Sequence, residues 1–246
     1  MRISNGMEVL EVSTSIMGKS DMIYPTLLRD EHNVILVDTG FPGQLTQLHE
    51  VIDQVGIFFD KLNKIIITHQ DIDHVGSLKD ILKESTKHIE VLAHGEEEPY
   101  LNGEKCPIKL TKLEAMLSTL PEHMKKIYEG MKSFYNSSQI NLDTILIDGE
   151  ELPYCGGITV IHTPGHTPGH ICLYHKQSKT LIAGDTLCVE NKVLIRTAAF
   201  TNHDDNLATE SLKKLTHYDI ETIICYHGGI YKGDISKDIA KLINKQ

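Results

Sequence analysis

The sequence predicts an α+β fold: one domain over residues 1–246 with a helical cap or insertion at about 95–143. Three observations carry that expectation. Short aliphatic runs alternate with segments of helical periodicity. The rhythm breaks once, across the insertion. Several of the aliphatic runs end on an Asp or a His followed by glycine or a tight loop.

Taken in order, Val34–Val37 is an aliphatic strand closed by Asp38-Thr39-Gly40. Residues 44–55 place Leu45, Leu48, Val51, Ile52 and Val55 on one helical face. Residues 64–68 form a strand that runs into His69, and 77–84 form the next helix. Residues 90–94 are a short strand. The insertion carries Leu110, Leu113, Met116, Leu117, Met124, Ile127, Tyr128 and Met131 at mostly helical spacing, interrupted by Pro121. Strands resume at 144–147, 158–162, 171–175, 180–183 and 222–226, with helices at 207–215 and 235–244. No low-complexity segment or linker divides the chain.

Composition narrows the function classes. Forty per cent hydrophobic and 24% charged residues are an ordinary globular mix, and the formal net charge of −10 argues against a nucleic-acid-binding face or an anionic membrane as partner. No apolar run approaches a membrane span, and residues 1–12 lack an apolar stretch flanked by positive charge, so a cytoplasmic location is expected. The five cysteines are an odd number with no C-x-x-C pair. A complete disulfide framework and a zinc ribbon therefore both fail, leaving reduced, mostly buried thiols. Against this background the chain has 14 histidines and no tryptophan, and histidine is the commonest metal ligand.

Those histidines concentrate at strand ends. The segment Thr68-His69-Gln70-Asp71-Ile72-Asp73-His74 holds four candidate ligands. His69 and Asp71 alternate and face one way in an extended chain, while Asp73 and His74 fall where the chain turns into a helix. The arrangement suits two ions about 4 Å apart better than one. A polar loop with Asp73 as a helix N-cap is the alternative, and four ligand types directly after an Ile-Ile-Ile strand argue against it. Further on, Thr163-Pro-Gly-His166-Thr-Pro-Gly-His170 fixes two histidines on a stiff loop. Ala183-Gly-Asp185 and Cys225-Tyr-His227-Gly-Gly229 close two more strands.

These four motifs, in this order from Asp38 to Gly229, resemble the metallo-β-lactamase superfamily of metal-dependent hydrolases. The resemblance implies an αβ/βα four-layer sandwich, with two mixed sheets face to face, helices outside, and metals at one sheet edge. It implies a first metal position on His69, Asp71 and His166, a second on Asp73, His74 and His227, and Asp185 bridging them. Asp38, His162 and His170 would be supporting residues. Where the family usually has a second histidine this chain has Asp71, a His-x-Asp-x-Asp-His variant. The extra carboxylate makes the loaded site neutral and the first ion a weaker Lewis acid, and as a harder ligand it favours manganese, iron or magnesium relative to zinc. Two divalent ions are expected, zinc first, with manganese or iron as alternatives.

The implied activity is that of a binuclear metal-dependent hydrolase. A hydroxide bridging two ions attacks a small-molecule ester, lactone or thioester, and Asp73 or Asp185 is the catalytic carboxylate that orients it. A homodimer is compatible with this. Chain length and the insertion resemble the lactonase-like branch, but that branch often has a tyrosine three residues beyond the bridging aspartate. Cys188 stands there, expected as a pocket-wall or core thiol. Tyr226, beside a ligand, is expected in the core, and the insertion's methionines in ordinary helix packing. Secreted β-lactamases, basic nucleases and flavin-linked di-iron reductases, whose matching carboxylate is glutamate, fit less well. The rivals are a phosphodiesterase and a non-catalytic, metal-containing ligand-binding or regulatory protein on the same fold.

Overall fold

In the computed structural model, which describes residues 1–16 and 19–244, the chain forms two mixed β-sheets packed face to face with helices on both outer surfaces. The first sheet orders its strands as Arg2–Ser4, Met7–Val9, Thr26–Arg29, Val34–Val37, Lys64–Ile66, Glu90–His94 and Thr144–Leu146. The second orders them as Glu151–Leu152, Ile158–His162, Ile171–His175, Thr180–Ile182, Thr222–Cys225 and Gly229–Tyr231.

Side-chain alternation explains the layering. Ile35 and Val37 point into the space between the sheets with Met7, Leu28, Ile66 and Leu92, meeting Val160, Ile171, Leu173, Ile182 and Ile224 of the second sheet. Leu36, Ile65 and Ile67 point the other way, onto Leu48 and Ile52 of helix Leu45–Gln54 and Leu78 and Ile81 of helix Leu78–Glu84. On the far side Ile161, Leu181 and Ile223 meet Leu212 and Leu215 of helix Asp205–Leu215 and Ile239 and Leu242 of helix Ile235–Asn244. Strands covered on both faces are what near-continuous aliphatic runs encode. Each such buried side chain contributes about 1.5–3 kcal/mol.

Strand direction concentrates the loop chemistry. Val34–Val37, Lys64–Ile66, Glu90–His94 and Thr144–Leu146 are mutually parallel neighbours, and Thr180–Ile182 is parallel to Thr222–Cys225. Their carboxyl ends therefore deliver Asp38, His69, Asp185 and His227 to one edge of the sandwich. The turn between the antiparallel strands Ile158–His162 and Ile171–His175 opens at the same edge. A hydrogen bond of 3.1 Å from Ile171 N–H to the Thr68 carbonyl ties the two sheets together there.

The insertion supplies helices Glu98–Leu101, Ile108–Ala115 and Glu122–Ser137, with Pro121 immediately before the last. It is the crossover between the parallel strands Glu90–His94 and Thr144–Leu146. Phe134, Tyr135, Ile140 and Leu142 pack it onto the first sheet's helical layer. Met116 departs from the expected packing and stands 49% exposed. No helix among the described residues is long and apolar enough to cross a membrane.

Candidate metal centre

The edge loops bring seven of the expected residues into two adjoining clusters. His69, Asp71, His166 and Asp185 offer one group of ligand atoms, and Asp73, His74 and His227 offer the other. In the first, Asp71 Oδ2 lies 3.1 Å from His69 Nε2 and 2.9 Å from His166 Nε2. In the second, Asp73 Oδ2 lies 3.1 Å from His227 Nε2 and 3.8 Å from His74 Nε2. Asp185 stands between them: Oδ1 is 3.3 Å from His74 Nε2, and Oδ2 is 3.5 Å from both His166 Nε2 and His227 Nε2. Donor atoms about 3–3.5 Å apart are the edges of a tetrahedral shell about 2.1 Å in radius.

The site's polar bookkeeping points the same way. His74 Nε2 and Asp185 Oδ1 are buried without a hydrogen-bond partner. Unpaired buried polar atoms are costly, and a cation between them would satisfy both. Nitrogen and carboxylate donors on both clusters suit a first-row divalent ion. The residues present fit the metals that the resemblance implies.

Three of the four imidazoles are aimed from behind. Asp38, held at φ 62°, a conformation Asp tolerates better than most side chains, accepts at Oδ2 from His74 Nδ1 at 2.9 Å and from the Thr68 hydroxyl at 2.8 Å. Its Oδ1 accepts the Thr68 N–H at 2.8 Å. His69 Nδ1 is 3.0 Å from the Thr68 hydroxyl, and His166 Nδ1 is 3.0 Å from Asn202 Oδ1. Fixing one ring nitrogen sets the tautomer that leaves the other free for a metal. His170 accepts the Asp185 N–H at 2.9 Å, so it steadies the carboxylate instead of an imidazole. His162 lies apart from both clusters. It faces the Pro168 carbonyl at 2.9 Å and stacks on His94 at 3.9 Å, bracing the 163–170 loop from outside.

Electrostatics follow from this crowding. Burial alone would depress the His74 imidazolium, but Asp38, Asp185 and Asp73 outweigh it and lift the group to about 10. Burial and the neighbouring His74 drive His69 down to about 4. Burial opposes ionisation of Asp73, yet His74 and His227 hold its carboxyl at about 2. Asp73 and His227 are the partly exposed members, so the centre opens to solvent on their side.

Tyr226 is buried, its hydroxyl donating to the Asp73 carbonyl at 2.5 Å and its ring against His74 at 3.9 Å. Cys188 is half-buried, Sγ 3.5 Å from the Thr197 hydroxyl, and burial pushes its thiol up. Four further contributors are not singled out by the sequence, and of these only Gln70 lies within a motif. Asn202 orients His166, and Gln70 and Glu97 brace the ligand loops. Lys109, from the insertion, reaches Asp71.

Packing beneath the centre is tight. Helix Ile72–Val75, which carries Asp73 and His74, ends on Gly76, where a Cβ would stand 2.3 Å from Phe41 C and Pro42 N and 2.5 Å from Gly40 O. These are backbone atoms and cannot swing aside. Gly76→Ala is expected to cost about 3 kcal/mol and lower the melting temperature by about 6–12 °C in calorimetry. Gly130→Ala, where nothing lies within 4 Å inside helix Glu122–Ser137, is expected to raise it slightly.

Comparison with known proteins agrees with this geometry. The family profile described as the Metallo-beta-lactamase superfamily matches residues 20–227. A probable metallo-hydrolase of Bacillus subtilis, YflN, is 28% identical over 245 residues, spanning 92% of this chain and 87% of that protein. The hydroxyacylglutathione hydrolase GloC of Haemophilus influenzae is 26% identical over 165 residues, 64% of this chain and 63% of that one. Among solved structures, a metallo-β-lactamase family protein from Thermus thermophilus superposes with a TM-score of 0.77 at 22% identity, covering 99% of this chain and 80% of that one.

Proposed function

The chain belongs to the metallo-β-lactamase superfamily, and from that premise we propose that it is a metal-dependent hydrolase of a small-molecule ester, lactone or thioester. The observation that carries the reading is the pair of ligand clusters meeting at Asp185, with His74 Nε2 and Asp185 Oδ1 buried and unpartnered. In this reading His69, Asp71 and His166 would hold one divalent ion, Asp73, His74 and His227 would hold a second, and Asp185 would serve both. Bound there, such ions supply Lewis acidity and lower the pKa of water.

The chain's own residues do the rest. Asp38, Thr68 and Asn202 keep three imidazoles in register, and His170 holds the Asp185 backbone. In this reading Asp73, on the open side, would accept a proton from an attacking water and orient it. Tyr226 fixes the Asp73 main chain, so the carboxylate does not drift as charge builds up. The relative named as a hydroxyacylglutathione hydrolase supports the thioester arm, and the acidic net charge weighs against nucleic acid as substrate.

A panel of aryl esters, lactones, acyl thioesters and phosphodiesters, assayed after reconstitution with zinc, manganese or iron(II), tests the reading. Turnover of at least one acyl substrate that a chelator abolishes is expected. Turnover confined to phosphodiesters would overturn the substrate class, and no turnover with metal fully loaded would overturn the enzyme reading.

A further inference from the structure

The two clusters are unequal, and the insertion makes them so. Lys109, the second residue of helix Ile108–Ala115, sets its ammonium against Asp71 Oδ2 and 3.3 Å from His166 Nε2. This reach is built from two part-buried hydrogen bonds. Gln70, between His69 and Asp71, accepts the Ile108 N–H at its Oε1 at 3.1 Å, and its carbonyl accepts the Tyr135 hydroxyl at 3.1 Å. Both ends of the insertion are thus fastened to the ligand loop, which presents Lys109 to the centre.

The consequence shows in how the ligand atoms are satisfied. In the first cluster His69 Nε2, His166 Nε2 and the ammonium all converge on Asp71 Oδ2. In the second, His74 Nε2 has no hydrogen-bond partner, nor does the Asp185 oxygen 3.3 Å from it. Among the described residues no lysine or arginine pairs with Asp73 or Asp185. The first cluster therefore sets a fixed ammonium against its own carboxylate, whereas the carboxylates of the second face only imidazoles, which can give up a proton to an arriving ion. A like charge a few ångströms from a divalent ion in a half-buried site is strongly unfavourable.

We propose that Lys109 competes with the divalent ion at His69–Asp71–His166, so that the chain fills the Asp73–His74–His227 position first and holds the other ion at least about a hundredfold more weakly. This rests on the reading that the clusters bind metal. It also assigns the exchange of histidine for Asp71 a structural counterpart, since a histidine there would give the ammonium no carboxylate to meet.

The test uses the full chain, stripped with a chelator and titrated calorimetrically with Mn²⁺ and separately with Zn²⁺. Metal content is read by mass spectrometry after gel filtration. The wild type is expected to keep one ion per chain and to show two binding steps at least about a hundredfold apart. Lys109→Met should keep two ions with steps within about tenfold, while Lys105→Met, a surface lysine control, should leave the split unchanged. Melting curves check folding, and Lys109→Gln replaces the Met variant if that one fails to fold. Two equal sites in the wild type, or an unchanged split in Lys109→Met, overturn the inference. A chain that binds no ion overturns the metal reading itself.

Discussion

Asp185→Asn is expected to cut hydrolysis by about a thousandfold and to weaken metal at both positions. The carboxylate lies within 3.5 Å of imidazole nitrogens from both clusters, so it alone serves both. Asparagine keeps the shape and the backbone hydrogen bond to His170 but removes the charge. A carboxylate at a catalytic ion contributes several kcal/mol of charge stabilisation, and about 4 kcal/mol is a factor of about a thousand in rate. Without metal the carboxylate still faces the His227 and His74 imidazoles, which outweigh its burial and hold its carboxyl well below the usual range, so the metal-free variant is expected to melt below the wild type at neutral pH. Metal content and rate, read beside the melting temperature, therefore separate the functional role of the carboxylate from its structural one. A rate within tenfold of wild type with both ions retained would remove Asp185 from the centre of the mechanism.

The fold is legible where burial is two-sided. Val34–Val37, Ile158–His162 and Ile171–His175 are covered on both faces, so their sequences are predominantly apolar without strict alternation and the strand boundaries match. Residues 1–33 give no such signal. Arg2–Ser4 is a partly exposed edge strand, and Val12–Ile16 pairs with Lys19–Ile23 in a separate two-stranded ribbon of mixed polarity. Gly229–Tyr231 is equally silent, because a strand of three residues opening on glycine looks like a turn. The insertion is helical in its periodicity, but its role as a crossover between parallel strands depends on a pairing that periodicity cannot show.

The centre divides in the same way. Its candidate ligands sit in short motifs at strand ends, where residue type and spacing are visible together. Their supports do not. Asn202 meets His166 across 36 residues and Lys109 meets it across 57, and neither stands in a motif. Glu97 is the sharpest case. It lies in the run Glu96-Glu97-Glu98, which reads as a solvated acidic surface, and Glu96 is indeed exposed. Glu97 is fully buried, because the turn after strand Glu90–His94 points it between the two ligand loops. Only the tertiary structure distinguishes it from its neighbours.

Glu97 accordingly carries the second large expectation. Its Oε1 accepts the Thr167 hydroxyl at 2.6 Å and the Gly169 N–H at 2.7 Å, and its Oε2 accepts the Gln70 N–H at 2.9 Å and the Gln70 side-chain amide at 3.0 Å. One carboxylate thus joins the loop bearing His69 and Asp71 to the loop bearing His166. Glu97→Ala strands these donors in the interior at about 1–3 kcal/mol each, not fully additive, so a loss of about 4 kcal/mol and a fall of about 8–16 °C in melting temperature are expected. Glu97→Gln is the finer probe. Whichever way the amide turns, its NH₂ faces two donors, so one loop is released while the core stays filled. Metal at His69–Asp71–His166 should then weaken by about 10–100-fold. The Asp73–His74–His227 position, anchored through Asp38 and Tyr226 instead, should change little. Equal losses at both positions would mean that Glu97 supports the fold alone. A selective loss would show that the geometry of the first position is transmitted through a residue that touches none of its ligands.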